Sequence, residues 1–400
     1  LLLMDKLEQL PYETIFQLQK WESKFKSDLF HLFNQRLDRL AFQPVDRKDL
    51  EVYRGIALKK QLKSNEIEVN DKIPTIGTLF DDLFHTNGKL ETVIDHYEER
   101  KGQREMSETV YDSFQSKQHA LIEAETGTGK SLAYLLPAIY QAVKHQDRVV
   151  VSTHLTQLQT QLLDKEIPVI KQLLPFPFKS ALMKGKKNYL SLAKFEIELF
   201  LQNDENYDIT LTKAIILVWL TETLTGDIDE LQLPSSGKFF FNKVSAEAEG
   251  ELDPNSSWFS RSFYQRVRSN AQKANLIITN HALICSDIAS DYSIIPSYKK
   301  LIIDEAHQFE STVTKQFGLK IDYVHIQFIL NHLGTLQTDN WIYRICKKNK
   351  QITNTITEIK WEQLWQDAKV ESDKLFSLIF SYVTEQKQKD INLNDTGRYQ

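Results

Sequence analysis

Residues 123–131 read Glu123-Ala124-Glu125-Thr126-Gly127-Thr128-Gly129-Lys130-Ser131, and this stretch decides the fold. Residues 119–123 are predicted as a short strand, and the spacing after the loop predicts a helix opening at Ser131. A glycine turn between a strand and a helix is the setting a phosphate-binding loop requires. Gly127 and Gly129 allow the backbone to turn its N–H groups inward around phosphate oxygens, and the helix N-terminus adds its positive dipole end. Lys130 supplies a point charge to the β and γ phosphates, and the Ser131 hydroxyl can ligate Mg²⁺. Ala124 stands where the general pattern has glycine; it needs an ordinary φ there, so the loop stays competent. The bland alternative is a strand-to-helix turn that merely uses glycine. With strand and helix both expected, bound ATP with Mg²⁺ is the reading carried forward.

A second motif lies far downstream. Lys300-Leu301-Ile302-Ile303-Asp304-Glu305-Ala306-His307 is an apolar strand ending in two acids. Acids at the carboxyl end of a parallel strand face the ligand crevice. There Asp304 can hold Mg²⁺ through water, Glu305 can orient or deprotonate the attacking water, and His307 can couple the site to its neighbours. Taken alone, the pair could be a solvated acidic helix start.

Around these motifs, strands expected at 148–152, 275–279 and 300–304 alternate with helices, one of them around 105–116, which predicts a parallel sheet. Residues 184–273 are mostly helical and polar, and read as an insertion. Residues 1–40 carry apolar positions at helical spacing, such as Leu29, Leu32, Phe33, Leu37 and Leu40, with Pro11 separating two helices. The polar stretch 43–70 reads as a surface connection, with a boundary near Lys72. Beyond Ser311 the chain is helical, with Trp361, Leu364, Trp365 and Ala368 on one face.

Composition bounds the function classes. The chain has 400 residues, 41% hydrophobic and 26% charged, with 13 Gly and 10 Pro, which fits two or three folded units and excludes disorder throughout. Lys+Arg 49 against Asp+Glu 54 gives a net charge of −5, so nucleic-acid contact would need a local basic track. Two cysteines, Cys285 and Cys346, are too few for a disulfide scaffold or a four-thiolate cluster, and both are expected to be inert. The longest apolar run, 214–220, is far too short to span a bilayer, so no membrane contact and a cytoplasmic location are expected. The histidines show no metal-ligand spacing. The chain opens at Leu1 with Met4 inside an apolar helical pattern, which suggests a segment of a longer protein.

Asp304-Glu305-Ala306-His307 together with residues 126–131 resembles the DEAH signature of superfamily 2 helicases. Residues 97–106, Tyr97-Glu98-Glu99-Arg100-Lys101-Gly102-Gln103-Arg104-Glu105-Met106, resemble the element that contacts adenine in that group, which implies roles for Arg100 and Gln103. Residues 149–162 are similar to motif Ia, which meets the DNA backbone, and this implies Thr153 and Gln157 as contacts. Lys184-Gly185-Lys186-Lys187-Asn188-Tyr189-Leu190 and Ala274-Asn275-Leu276-Ile277-Ile278-Thr279-Asn280-His281-Ala282-Leu283 resemble stretches shared by the DinG and XPD branch, and add Asn280 and His281. The implied nucleotide site is Arg100, Gln103, Ala124, Glu125, Thr126, Gly127, Thr128, Gly129, Lys130, Ser131 and His307, with Asp304 and Glu305 catalytic beside Lys130, and Ser131 and Asp304 on Mg²⁺.

The resemblance implies an α/β fold: a RecA-like parallel-sheet P-loop NTPase lobe over 73–310 with helical insertions, preceded by a short helical segment. In that branch an iron–sulfur domain sits between motif Ia and the DEAH strand, and a helical arch follows. Here the insertion at about 184–273 and the helices of 311–400 occupy those places. Ser191 stands at the position of the first cluster cysteine, and Ser257, Ser260 and Ser262 populate the later stretch, so no iron–sulfur cluster is expected. Leu1-Leu2-Leu3-Met4-Asp5-Lys6-Leu7-Glu8-Gln9-Leu10-Pro11 resembles the closing helix of a proofreading-type 3′–5′ exonuclease, which makes 1–72 its helical tail plus a linker. The implied function is the ATP-binding and ATP-hydrolysing portion of such an exonuclease, acting on single-stranded or forked DNA in replication or repair. The alternative is an ATP-dependent single-stranded DNA translocase or helicase. A small-molecule P-loop kinase fits the distant acidic strand poorly.

Lys184, Lys186 and Lys187, and Arg261, Arg266 and Arg268 near Trp258, Phe259 and Phe263, could form a phosphate track with stacking aromatics. A charged face with its stems over core aromatics is the equally open alternative.

Overall fold

The computed structural model describes residues 6–25, 30–42, 47–61, 73–85, 88–94, 101–125, 129–201, 206–250, 253–318, 322–337 and 340–396. The described chain separates into two compact units, Leu1–Gln316 and Phe317–Gln400.

The first unit is built on four strands. β3 (Val149–Thr153), β4 (Ser180–Leu182), β5 (Leu276–Asn280) and β6 (Lys300–Ile303) form one sheet in the order β4-β5-β3-β6, with every pairing parallel. An all-parallel sheet buries both faces, and the side chains sort accordingly. Val149 and Val151 of β3, Leu276 and Ile278 of β5, and Ile302 of β6 pack into one apolar layer. Val150, Ile277 and Leu301 pack into the layer opposite. The sheet is therefore the middle of three layers, as expected of an α/β nucleotide-binding lobe.

Of the helices, α1 is Tyr12–Lys20, α2 Phe30–Phe42, α3 Lys101–Ser116 and α4 Lys130–Lys144. α4 is buried along almost its whole length, from Leu132 to Ala142, because the sheet covers one side and α3 another. That double cover explains why its sequence is nearly continuously apolar. Ser107 on α3 ties the two helices, donating its hydroxyl to the carbonyls of Ala133 at 2.8 Å and Gln103 at 3.0 Å.

The strand expected at 119–123 does not form. Residues 118–125 carry no ladder, and Leu121 stands 95% exposed. A strand is held by its neighbour's backbone. β3, the neighbour of β6, is already paired on both edges, and β6 itself pairs with β3 alone among the described residues.

The region expected as an insertion has its own core. α6 (Leu192–Phe200), α7 (Tyr207–Trp219), α8 (Ser235–Lys243) and α9 (Phe263–Lys273) bury Phe195, Ile216, Trp219, Phe241, Trp258 and Phe263 together. Residues ahead of position 72 join this core. β1 (Leu50–Tyr53) and β2 (Ile56–Lys59) form an antiparallel hairpin whose Ile56 and Leu58 enter it. α1 and α2 pack Ile15, Leu18, Phe33 and Leu40, with Leu10 just ahead of α1, against Ala214 of α7. The Arg261 guanidinium lies 3.9 Å from the Tyr53 ring centre and pairs with Glu51 at 3.0 Å.

The second unit is helical. Tyr323–Leu333 and the 36-residue helix Trp361–Thr396 are joined where the indole N–H groups of Trp361 and Trp365 donate to the carbonyls of Gly334 at 2.9 Å and Leu330 at 2.7 Å. The aromatic stripe thus closes the carbonyl end of the shorter helix.

Candidate nucleotide site

The site lies at the carboxyl ends of β3 and β6 and the N-terminus of α4. Gly129 caps α4 at φ +76°, in the left-handed region that favours glycine. A Cβ built there would lie 2.2 Å from Nε2 of Gln103, so any side chain would have to displace the Gln103 amide as well as strain the backbone. Gln103 is buried and donates from Nε2 to the Gly129 carbonyl at 3.1 Å, which fixes the loop's exit. Gln103 thus meets the loop across 26 residues of sequence. Arg100, Thr126, Gly127 and Thr128 lie outside the described residues. Ala124 is half-buried and Glu125 exposed.

Lys130 opens α4 and points to the acids: its Nζ is 3.7 Å from Oε1 of Glu305. The Asp304 N–H donates to the Ser152 carbonyl at 2.8 Å, carrying the β3–β6 ladder one step beyond the strand. Its carboxylate accepts from the Glu305 N–H at 3.1 Å and from the Tyr134 hydroxyl at 3.1 Å. Burial pushes Asp304 above the ordinary carboxylate range; Tyr134 and Lys130 oppose that, and Glu305 adds to it. Burial, and then Asp304, push the Tyr134 phenol well above its usual range. Glu305 sits at φ +54°, a conformation that costs a non-glycine residue about 1–2 kcal/mol. Such strain persists only where surrounding structure over-determines it. His307 is exposed, with Nδ1 3.5 Å from Oε2 of Glu305.

Tyr134 is a site residue the motif reading missed. It lies one helical turn beyond Lys130, and that i, i+4 spacing on one helix face was the available signal.

The donor set fits a metal-bound nucleotide. A glycine that opens the helix at positive φ, a lysine, a helix-start hydroxyl at Ser131 and a carboxylate pair stand together at the N-terminus of α4 and the end of β6.

The residues marked for nucleic acid fall into two groups. Gln157 is exposed on α5 (Thr156–Gln161). Thr153 is fully buried at the end of β3. Asn280 caps α10 (His281–Ala289), its Oδ1 accepting from the Leu283 N–H at 2.8 Å. His281 is 1% exposed, with Nδ1 2.7 Å from the Ser152 hydroxyl. Burial, followed by His154, holds its proton affinity below that of an ordinary histidine, against the backbone of Glu305 and Asp304.

In the basic and aromatic stretch, Trp258 and Phe263 are buried in the insertion's core. The Trp258 indole donates to Glu196 at 2.8 Å. Arg266 stacks on Phe263 at 4.4 Å, and burial pulls its guanidinium down to about 10. The Lys184 ammonium is buried, bonded to Asp227 and, at 2.7 Å, to Asp229. Among the described residues no group of three or more His, Cys, Asp or Glu side chains could hold a metal ion by themselves.

This geometry matches what comparison finds. The DEAD/DEAH box helicase family matches residues 100–215, from α3 through the phosphate loop and β3 into the insertion. The 3′–5′ exonuclease DinG of Bacillus subtilis (strain 168) is 34% identical over 397 residues, which cover 97% of this chain and 41% of that protein. The 3′–5′ exonuclease DinG of Staphylococcus aureus (strain USA300) is 31% identical over 359 residues, 88% of this chain and 37% of that protein. The chain thus spans about two-fifths of the length of these curated relatives. Fold and site together define the nucleotide-binding lobe of a DEAD/DEAH box helicase. Along nearly its whole length the chain is similar to DinG-type proteins.

Proposed function

We propose that this chain is the ATP-binding and ATP-hydrolysing, helicase-like portion of a DinG-type 3′–5′ exonuclease that acts on DNA in replication or repair. The observation that carries the reading is the approach of Lys130 to Glu305 at 3.7 Å, with Asp304 held beside it by Tyr134. Two motifs far apart in sequence thus bring together the charges that phosphoryl transfer needs.

In this reading Lys130 binds the β and γ phosphates, and the loop's N–H groups orient them. Ser131 and Asp304 would hold Mg²⁺, which when bound neutralises phosphate charge. Glu305 orients a water in line with the γ-phosphorus and takes its proton as the new P–O bond forms and the bond to the β–γ bridging oxygen breaks. Single-stranded or forked DNA is the proposed partner, met along the exposed face of α5 near Gln157. Residues 1–72 are read as the tail of an exonuclease-like domain plus linker, 73–310 as the ATPase lobe and 311–400 as the start of a helical arch, in a cytoplasmic protein. Among the described residues no helix is long and apolar enough to cross a membrane.

The branch implies an iron–sulfur cluster in the insertion, and the residues here do not fit one. Four thiolates are needed, and the chain has two cysteines, Cys285 and Cys346, both outside the insertion. Ser191 and Ser262 work as helix caps instead, accepting from the N–H groups of Lys194 at 3.1 Å and Gln265 at 3.4 Å. An apolar core centred on Phe195, Phe241 and Trp258 holds the insertion together. This favours nuclease service over strand separation.

Strand displacement and nuclease assays on a forked duplex, using the native protein with ATP and with Lys130→Ala, separate the readings. ATP-responsive cleavage that the substitution abolishes, without displacement, supports nuclease service. ATP-dependent displacement lost in the mutant supports the motor alternative. Cleavage indifferent to both ATP and the substitution overturns the coupling.

A further inference from the structure

His281 occupies a position that neither the nucleotide motifs nor an exposed nucleic-acid face explains. Its ring is 1% exposed, so it meets no macromolecule directly. On one side Nδ1 lies 2.7 Å from the Ser152 hydroxyl, and Ser152 is the residue whose carbonyl receives the Asp304 N–H at 2.8 Å. On the other side the ring stands edge-on to Phe309, centroids 5.3 Å apart at 85°. Phe309 is the first residue of α11 (Phe309–Phe317), the helix that follows the acidic turn. His154, just beyond β3, approaches the ring at 6.0 Å.

One imidazole therefore touches Phe309 at one end of the segment that carries Glu305 and, at the other end, the strand residue Ser152 to which Asp304 is bonded. That segment needs holding, because Glu305 stays in a left-handed conformation that a free chain would leave. The hydrogen bonds within the turn, Glu305 N–H to Asp304 and Gln308 N–H to the Glu305 carbonyl at 2.9 Å, are local and do not anchor it to the sheet. Its anchors are the Asp304–Ser152 backbone bond, the Tyr134 hydroxyl on Asp304, the packing of Phe309 against the layer that holds Val150 and Ile277, and the His281 ring, which alone meets both Ser152 and Phe309.

We propose that His281 is a positioning residue for ATP hydrolysis: bonded to Ser152 and packed on Phe309, it clamps the Asp304–Phe309 turn and so holds Glu305 in line with the γ-phosphate. The proposal rests on the ATP-hydrolysing reading of the site. Its mechanical half is independent of that reading and can be measured without nucleotide.

The test uses the native protein and three variants, His281→Ala, His281→Asn and Ser152→Ala. Amide hydrogen exchange over residues 304–309 without nucleotide reads the clamp. Steady-state ATP hydrolysis with single-stranded DNA reads its consequence. His281→Ala should raise exchange at these amides at least tenfold and lower kcat at least tenfold, leaving KM for ATP within about twofold. Asn keeps a polar atom where Nδ1 reaches Ser152, so His281→Asn should recover much of both losses. Ser152→Ala removes one hydroxyl from a strand held by two neighbours, and should reproduce the direction of the alanine effects even if His281→Ala does not fold. Exchange and kcat unchanged in Ser152→Ala, or no recovery with Asn, would overturn the proposal. Equal losses in kcat and in ATP affinity would overturn it too, because they indicate general damage to the lobe. Raised exchange in a native protein that hydrolyses no ATP would leave the clamp standing and refute the ATP-hydrolysing reading.

Discussion

The Tyr134 hydroxyl donates to Oδ2 of Asp304 at 3.1 Å, joining the second turn of α4 to the end of β6. Lys130 and Tyr134 thereby bring one helix face to both acids. Removing the hydroxyl leaves Asp304 half-buried with one fewer donor. Loss of such a bond to a charged group costs about 1.5–3 kcal/mol. Tyr134→Phe should therefore slow ATP turnover by roughly tenfold or more at 1.4 kcal/mol per decade, with nucleotide affinity close to wild type. Phosphate release and binding of a fluorescent ATP analogue check the two halves.

Gly129 carries two constraints at once, φ +76° and the 2.2 Å approach to Gln103 Nε2. Gly129→Ala should weaken nucleotide binding by roughly tenfold or more, from the backbone strain and the displacement of the Gln103 amide. Gly129→Ala with Gln103→Ala removes the collision but not the backbone strain, which is worth about 1–2 kcal/mol. Titration calorimetry should find the double variant weaker than Gln103→Ala alone.

Lys184 is buried between Asp227 and Asp229. Truncating one member of a buried pair leaves an uncompensated charge and costs about 3–5 kcal/mol. Lys184→Ala should destabilise the insertion by that order, seen as a lower denaturation midpoint for the Trp219 and Trp258 fluorescence. Ser191→Ala removes a helix cap and should cost only about 1 kcal/mol. If Ser191 instead held a metal centre, iron content of the purified protein would fall with the substitution; the expected value is zero in both.

The hairpin is latched to the insertion by Arg47, which pairs with Asp49 at 2.6 Å and Glu222 at 2.8 Å. Arg47 holds Asp49 below its ordinary range, and does the same for Glu222 against the opposing effect of its burial. A carboxylate whose folded pKa is depressed contributes stability above its unfolded pKa and loses it as pH falls through the folded value. The latch should therefore loosen below about pH 4. Proteolysis within 47–60 should accelerate there in wild type, and Arg47→Ala should remove most of the difference between about pH 3 and pH 7.

Much of this site was legible because its chemistry demands particular residue types at short range. The glycines, Lys130 and Ser131 announce a phosphate loop, and an apolar run ending in Asp304 and Glu305 announces the strand beside it. β3, β5 and β6 form within a residue or so of their expected places, since buried parallel strands read as apolar runs. The strand at 119–123 failed because a ladder depends on a neighbour that no local pattern reports. The Ser152–His281 bond was hidden for a related reason: it is a single polar contact between elements distant in sequence. The fate of the aromatics near Arg261 was open in sequence, and packing decided it, placing Trp258 and Phe263 inside the insertion's core. Its partners include a hairpin some 200 residues earlier, and periodicity carries no trace of that pairing.

The most direct test of the central claim is the Glu305→Gln variant of the native protein, assayed for ATP retention and phosphate release with single-stranded DNA. Loss of a general base costs about 10²–10⁴-fold in rate. The expected result is ATP bound with affinity within a few-fold of wild type and phosphate release reduced at least a hundredfold. Phosphate released at the wild-type rate would contradict the assignment of Glu305, and with it the function proposed for this crevice.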